Sequence, residues 1–216
     1  NTMSHELRSP LHVIIGYADM LADGRGEPRA AAERIRANAL ELLQLVENTL
    51  GVARLASGRL TVHASEFAIG PLFDELRESV AALPEAGDTV AWRAAPDLPA
   101  LRLDRLKLKE IVHNLVSNAL KFADGAPIAV SATNAHGRLR IEVRDQGPGI
   151  EADEQARIFE LFERGGAGAA RAAGAGVGLV IVRSLAELMG GEVTLESAPG
   201  RGACFTVWLP IRLEDG

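Results

Sequence analysis

The stretch Asp104–Phe122, "DRLKLKEIVHNLVSNALKF", decides how the chain is read. Its apolar residues Ile111, Val112, Leu115, Val116 and Leu120 recur at helical spacing and supply one buried face. Glu110, Asn114, Asn118 and Lys121 fall at i, i+4, i+8 and i+11, so a second stripe presents a carboxylate, two amides and an ammonium. A polar stripe taken alone is usually a solvated face. Two asparagines in mid-helix are different, because asparagine favours caps and costs stability in a helix interior. An asparagine side-chain oxygen is a neutral ligand suited to a Mg²⁺ that keeps several waters and is held chiefly by phosphate oxygens. Lys121, one turn on, is placed to meet the phosphates themselves.

Upstream, Met3–Ala22 carries Leu7, Leu11, Ile14, Ile15, Ala18 and Leu21 on one helical face. "DGRGEP", Asp23–Pro28, breaks the helix with two glycines and a proline. A second helix is predicted from about Arg29 to Ala56, with Ile35, Ala39, Leu42, Val46, Leu50 and Ala53 three and four apart, a bundle-type seam. Two helices joined this way form an antiparallel hairpin, which covers only part of each apolar face. A second copy completes a four-helix bundle, so a homodimer is expected, with a domain boundary at "ASGRL", Ala56–Leu60.

Downstream of that boundary the pattern mixes types. A strand is predicted near Leu60–Ala64, a helix near Ile69–Ala82, a strand at "TVAWRA" from Thr89, and strands at "PIAVSAT" and "RLRIEVRD". A helix near Ala175–Met189 and strands at "GEVTLES" and "ACFTVWLP" follow. Strands beside helices, with a hairpin-like pair in the middle, imply a two-layer α/β sandwich on a mixed sheet; the fold class is α+β. The Ala/Gly-rich span Arg164–Gly178 reads as a loop.

Two glycine clusters complete the chemistry: "DQGPGI", Asp145–Ile150, and "GAGVGL", Gly174–Leu179, the second opening a helix whose first N–H groups can receive phosphate. Neither is a P-loop or a dinucleotide fingerprint, and the H-R-D and D-F-G motifs of ordinary protein kinases do not occur. Composition excludes other classes. A net charge of −6 with a pI near 5.4 and no basic run leaves no footprint for nucleic acid or an anionic membrane. No apolar run approaches the roughly 20 residues that cross a bilayer, so this segment is expected to make no direct membrane contact. The single cysteine, Cys204, sits in the apolar "ACFTVWL" as a buried small residue and fits a reducing, cytoplasmic setting. The five histidines, of which His12, His63, His113 and His136 are scattered, form no metal-ligand constellation. Opening on Asn1 and Thr2 directly before a helical pattern, the chain reads as a piece of a longer polypeptide that could be membrane-anchored elsewhere.

In order, "SHELRSPL", "NLVSNALKF", "DQGPGI", "IFELFER" and "GAGVGLVIVRSL", followed by "GGEVTLESAPGRGACFTVWLP", resemble the sensor histidine kinases of two-component signalling across nearly the whole chain. The resemblance implies a dimerisation and phosphoacceptor hairpin over residues 1–58 and an ATP-binding catalytic domain over 59–216, with the fold shared by gyrase and histidine kinases. It implies ATP with Mg²⁺, autophosphorylation of His5, and transfer to an aspartate of a response-regulator receiver domain. Glu6 would take the ring proton of His5. Asn118 would hold Mg²⁺, and Asn114 and Lys121 would contact the phosphates, with Phe122 near the nucleotide. Asp145 would accept a hydrogen bond from the adenine amino group, which a carboxylate can do and a guanine carbonyl cannot satisfy. Gly147 and Gly149 would allow that approach. Gly174, Gly176 and Gly178 would flank the phosphates, while Phe159 and Phe162 match the family's aromatic box and Arg164 its nearby arginine. Pro10 would bend the first helix a turn beyond His5.

The chain departs from the family's pattern at three places. Ser9 stands where relatives with phosphatase activity commonly carry Thr or Asn. Alanine and glycine replace larger residues between Arg164 and Gly174, and Ala203 and Cys204 replace the usual Ser or Thr after "GRG". A hydrolytic ATPase of the same fold would carry a glutamate in place of Asn114, and the amide argues against it.

Overall fold

The computed structural model describes residues 2–39, 42, 46, 61–81, 89–159 and 178–213. Helix α1 spans Thr2–Ala22 and runs through Pro10 without interruption. After the turn at Asp23–Glu27, a second helix, α2, is described at residues 28–39 and again at 42 and 46. Among the described side chains the least exposed positions of α1 are Pro10, Ile14, Tyr17 and Leu21, and those of α2 are Ala31, Ile35, Asn38 and Leu42. Both sets follow i, i+4, i+7, i+11, the spacing of a single helical face. Of the predicted seam, Ile35 and Leu42 share this face, Ala39 and Val46 are exposed, and Leu50 and Ala53 lie outside the described residues.

The strand predicted near Leu60–Ala64 lies later: residues 61–64 belong to no strand among the described residues, and β1 forms at Ser65–Phe67, while Leu60 lies outside the described residues. Pairing decides this rather than side-chain type: β1 runs antiparallel to β3, Leu101–Leu103, which sequence pattern did not reveal, with Ser65 opposite Leu103 and Phe67 opposite Leu101. Helix α3 occupies Ile69–Ala81 and buries Ile69, Leu72, Phe73, Leu76 and Val80.

The main sheet has the order β2-β4-β5-β7-β6, with β2 at Val90–Ala94, β4 at Ile128–Ala135, β5 at Arg138–Asp145, β6 at Glu192–Ser197 and β7 at Ala203–Pro210. Only β2 and β4 pair in parallel, so the sheet is mixed. His136 and Gly137 join β4 to β5 with φ of 55° and 76°, the positive values a two-residue hairpin needs to match strand twist. Period-two alternation sends Ile128, Val130 and Ala132, Leu139, Ile141 and Val143, and Phe205, Val207 and Leu209 to one face, where all are buried.

That face is covered by α3, by α4 at Arg105–Phe122 and by α6 at Gly178–Leu188, in one continuous hydrophobic core. Helix α4 contributes Leu108, Ile111, Val112, Leu115, Val116, Ala119 and Leu120, and α6 contributes Ile181, Val182, Leu185 and Ala186. Phe73 of α3 meets Trp92 of β2 edge-on at 5.2 Å between ring centroids. Each fully buried leucine or isoleucine stabilises by about 2 kcal/mol, so this interior, with α4 at its centre, fixes the sandwich. The outer face carries Arg138, Arg140, Glu142 and Arg144, with Glu142 between Ser131 and Thr206 and with Arg138 and Arg140 over the ring of Trp208. Cys204 is buried on this side as a free thiol, its pKa pushed up by burial.

Candidate active site

Helix α4 is the platform of the site. Asp104 caps it, accepting from the Lys107 amide at 3.1 Å through Oδ1. With the apolar face locked into the core, Asn114, Asn118 and Lys121 are held half-buried along the boundary toward α6. Asn114 Nδ2 donates to the Glu110 carbonyl one turn back at 2.9 Å, which leaves its Oδ1 toward the neighbouring helix. Asn118 makes no side-chain hydrogen bond among the described residues, an unusual state for a half-buried amide in the middle of a helix.

The first residue of α6 faces these two amides. A methyl group placed on Gly178 would stand 3.3 Å from Asn114 Oδ1 and 3.8 Å from Asn118 Nδ2. The missing side chain therefore keeps open a cradle between the α6 N-terminus and the asparagines. Helix N-termini present N–H groups and positive potential to anions, and the amides supply neutral oxygens, a donor set that fits phosphate together with a hard cation. Lys121 adds a positive charge at the far end of α4, its Nζ 5.6 Å from the centroid of the Phe122 ring, which is itself 41% exposed.

Asp145 heads the loop that packs, through Gly147, on the C-terminal end of α4. It ends β5, opposite Ile128 of β4, and is 7% exposed. The amides of Gly147 and Ala203 both donate to its Oδ1, at 2.8 and 3.2 Å, and no described residue donates to Oδ2. Burial pushes its pKa up, and the two amides offset part of that rise. Close packing explains the glycines: a methyl on Gly147 would stand 2.9 Å from the Phe122 carbonyl, and one on Gly149, at φ +75°, would stand 2.0 Å from the Ala198 carbonyl.

Phe159 packs edge-on against Phe205 at 6.3 Å, with the Arg183 guanidinium of α6 5.7 Å from its centroid. Of the remaining predicted site residues, Arg164, Gly174, Gly176 and Phe162 lie outside the described residues. The backbone of His5 and Glu6 is helical within α1, and their side chains are likewise outside the description. His113, next to Asn114, has its pKa lowered by burial and by the Lys109 ammonium, and has no place in the cradle. The pattern reading missed Ser197 and Gln155, which hold the Asp145–Ile150 loop through bonds 42 and 47 residues apart in sequence. No short-range signal carries such a contact.

Residues 103–213 match the model for the histidine kinase-, DNA gyrase B- and HSP90-like ATPases, and residues 1–58 match that for the His kinase A (phospho-acceptor) domain. The chain is 36% identical over 98% of its length to the histidine protein kinase DivJ of Caulobacter vibrioides, and 36% identical over 99% of its length to the sensor protein DivL of that organism. It spans 36% and 28% of the lengths of these relatives. The crystal structure of full-length ShkA in complex with AMPPNP superposes with a TM-score of 0.73 at 31% identity, covering 100% of this chain and 46% of ShkA. The chain belongs to the sensor histidine kinases of two-component signalling. Its sandwich is the ATP-binding domain of that family. No helix among the described residues is long and apolar enough to cross a membrane.

Proposed function

We propose that this chain is the core of an ATP-dependent protein-histidine kinase, with residues 1–58 as the dimeric phosphoacceptor hairpin and 59–216 as the catalytic domain. The observation that carries the reading is the open cradle in which Gly178 faces Asn114 and Asn118, together with a buried carboxylate at Asp145. Asp145 Oδ2 accepts from the adenine amino group, while Gly147, Gly149 and Phe122 line the base. Lys121, Asn114, Arg164, Gly174, Gly176 and the α6 N-terminus receive the phosphates, and Asn118 is the protein's ligand for Mg²⁺. Mg²⁺ supplies charge neutralisation on the transferring phosphoryl group.

The protein's own task is placement and proton management, because phosphoryl transfer asks for in-line geometry and little covalent work. A neutral imidazole nitrogen of His5 attacks the γ-phosphorus, the bond to ADP breaks, and the proton on the other ring nitrogen passes to Glu6. The phosphohistidine then donates to an aspartate of a receiver domain docked around His5 on α1. A homodimer joins two hairpins in one bundle.

Incubation with γ-labelled ATP and Mg²⁺ tests this. Label that is acid-labile and alkali-stable is expected, and is lost in both His5→Gln and Asn118→Ala. Label that survives His5→Gln rules out His5 as the acceptor. Absence of label with nucleotide-dependent thermal stabilisation favours a nucleotide-gated scaffold.

A further inference from the structure

The loop that carries the base-recognising carboxylate is clamped by two side chains outside the nucleotide site. Ser197, the last residue of β6, accepts from the Ile150 amide at 2.9 Å and donates the same hydroxyl to the Gly202 carbonyl at 2.7 Å. Gln155, at the end of the short helix Ala152–Gln155, donates from Nε2 to the Ile150 carbonyl at 2.9 Å and to the Ser197 carbonyl at 3.0 Å. Both polar groups of the Ile150 peptide unit are thereby taken by side chains. Two backbone contacts extend the ring: Gly200 donates to the Pro148 carbonyl at 2.7 Å, and Ala203, just past Gly202, donates to Asp145. One hydroxyl and one amide thus tie the 145–150 loop to the β6–β7 turn whose next amide orients Asp145.

We propose that Ser197 and Gln155 are positioning residues for nucleotide recognition, acting as a hydrogen-bonded clip that holds residues 146–150 in the conformation competent for base binding. The inference rests on the nucleotide-binding reading of Asp145. Neither side chain touches the cradle formed by Asn114, Asn118 and Gly178, so the clip acts on affinity for the base and not on the phosphoryl step. Without it the loop samples alternatives to which no base binds, and apparent affinity falls by the competent fraction.

The experiment compares Ser197→Ala, Ser197→Thr, Gln155→Met and Gln155→Glu with the unaltered chain. Nucleotide affinity is read by calorimetric titration, KM and kcat by autophosphorylation, and the Ile150 amide by hydrogen exchange without nucleotide. Ser197→Ala and Gln155→Met are expected to raise Kd and KM for ATP about tenfold with kcat within about twofold, the size expected for one or two half-buried hydrogen bonds. Ser197→Thr, which keeps the hydroxyl, restores affinity. Gln155→Glu, which sets a carboxylate against two carbonyls, is worse than Gln155→Met. Ile150 exchange accelerates in the alanine and methionine variants. Unchanged Kd and KM overturn the proposal, as does a loss confined to kcat with a parallel drop in melting temperature, the mark of general destabilisation. The two readings fail separately. A chain that binds no ATP yet protects Ile150 in a Ser197-dependent way refutes the nucleotide site and with it the clip's role in recognition, whereas ATP binding with a freely exchanging Ile150 refutes the clip alone.

Discussion

Asp145 is a carboxylate with one oxygen committed and one to spare. Because the Gly147 and Ala203 amides both address Oδ1, an asparagine here would turn its own oxygen to them and leave its NH₂ where Oδ2 stood. That donor opposes the adenine amino group and suits the carbonyl at the same place in guanine. Asp145→Asn is expected to weaken ATP binding about thirtyfold, the scale of a hydrogen bond to a charged group, while GTP binding improves relative to ATP; competition titrations read the ratio. The raised pKa adds a pH signature. With ionised Asp145 as the proposed acceptor, ATP affinity is expected to decline on acidification from above the ordinary carboxylate range, and the decline to be absent in the asparagine variant. For stability the sign is opposite. A carboxyl whose folded pKa is raised contributes most below its unfolded value, and that contribution is lost as pH rises through the folded one.

At the scale of elements, α4 is the platform of the site, and its cap also ties down the segment that leads into β1. Its cap, Asp104, is 3% exposed and does three things: it accepts from the Lys107 amide, pairs with the Lys107 ammonium at 2.8 Å, and accepts from the His63 amide at 2.9 Å, fixing the segment ahead of β1. Burial alone would raise its pKa, but the Lys107 ammonium and the two amides outweigh burial and hold it below the usual range. Its stability contribution is therefore present above the unfolded pKa and lost as pH falls through the folded one, opposite to Asp145. Asp104→Ala should cost about 2 kcal/mol in denaturant unfolding at neutral pH, with Asp104→Asn, which keeps a cap oxygen, costing about half; the gap between wild type and Asp104→Ala should narrow in acid. The helix and its polar stripe were legible in the sequence because 3.6-residue periodicity is local, and Asn114 and Asn118 keep that period while going against helix propensity. Asp145 and the glycines were legible as motifs. Strands β1 and β3 were not, since three residues each carry no period and exist only because Phe67 and Leu101 pair across 34 positions. The clip made by Ser197 and Gln155 was invisible for the same reason.

For the whole molecule, the helical hairpin poses the remaining physical question. The apolar positions of α1 read as one face from the sequence divide in three dimensions: Ile14 and Leu21 turn inward with Pro10 and Tyr17, while Leu11 and Ile15 stay 44% and 48% exposed. Val13 and Met20 are 38% and 41% exposed on the same helix, and Val46 of α2 is 41% exposed. An isolated hairpin gains nothing from leaving these in water, and a second copy presents the same residues about a two-fold axis, an isologous contact that closes. Burying a leucine and an isoleucine from each chain is worth about 2 kcal/mol per side chain, so charges at Leu11 and Ile15 act twice, on both halves of the interface. The double variant Leu11→Glu with Ile15→Glu should sediment as a monomer at concentrations where the unaltered chain is dimeric. Among the described residues, the cradle at Asn114, Asn118 and Gly178 is built from α4 and α6. ATP with Mg²⁺ should therefore still raise the melting temperature of the catalytic domain in the monomeric variant, because ligand bound only by the folded state stabilises it by mass action. Loss of that shift together with the dimer would mean that the nucleotide site depends on the second copy, and a variant that stays dimeric would place the interface elsewhere on the hairpin.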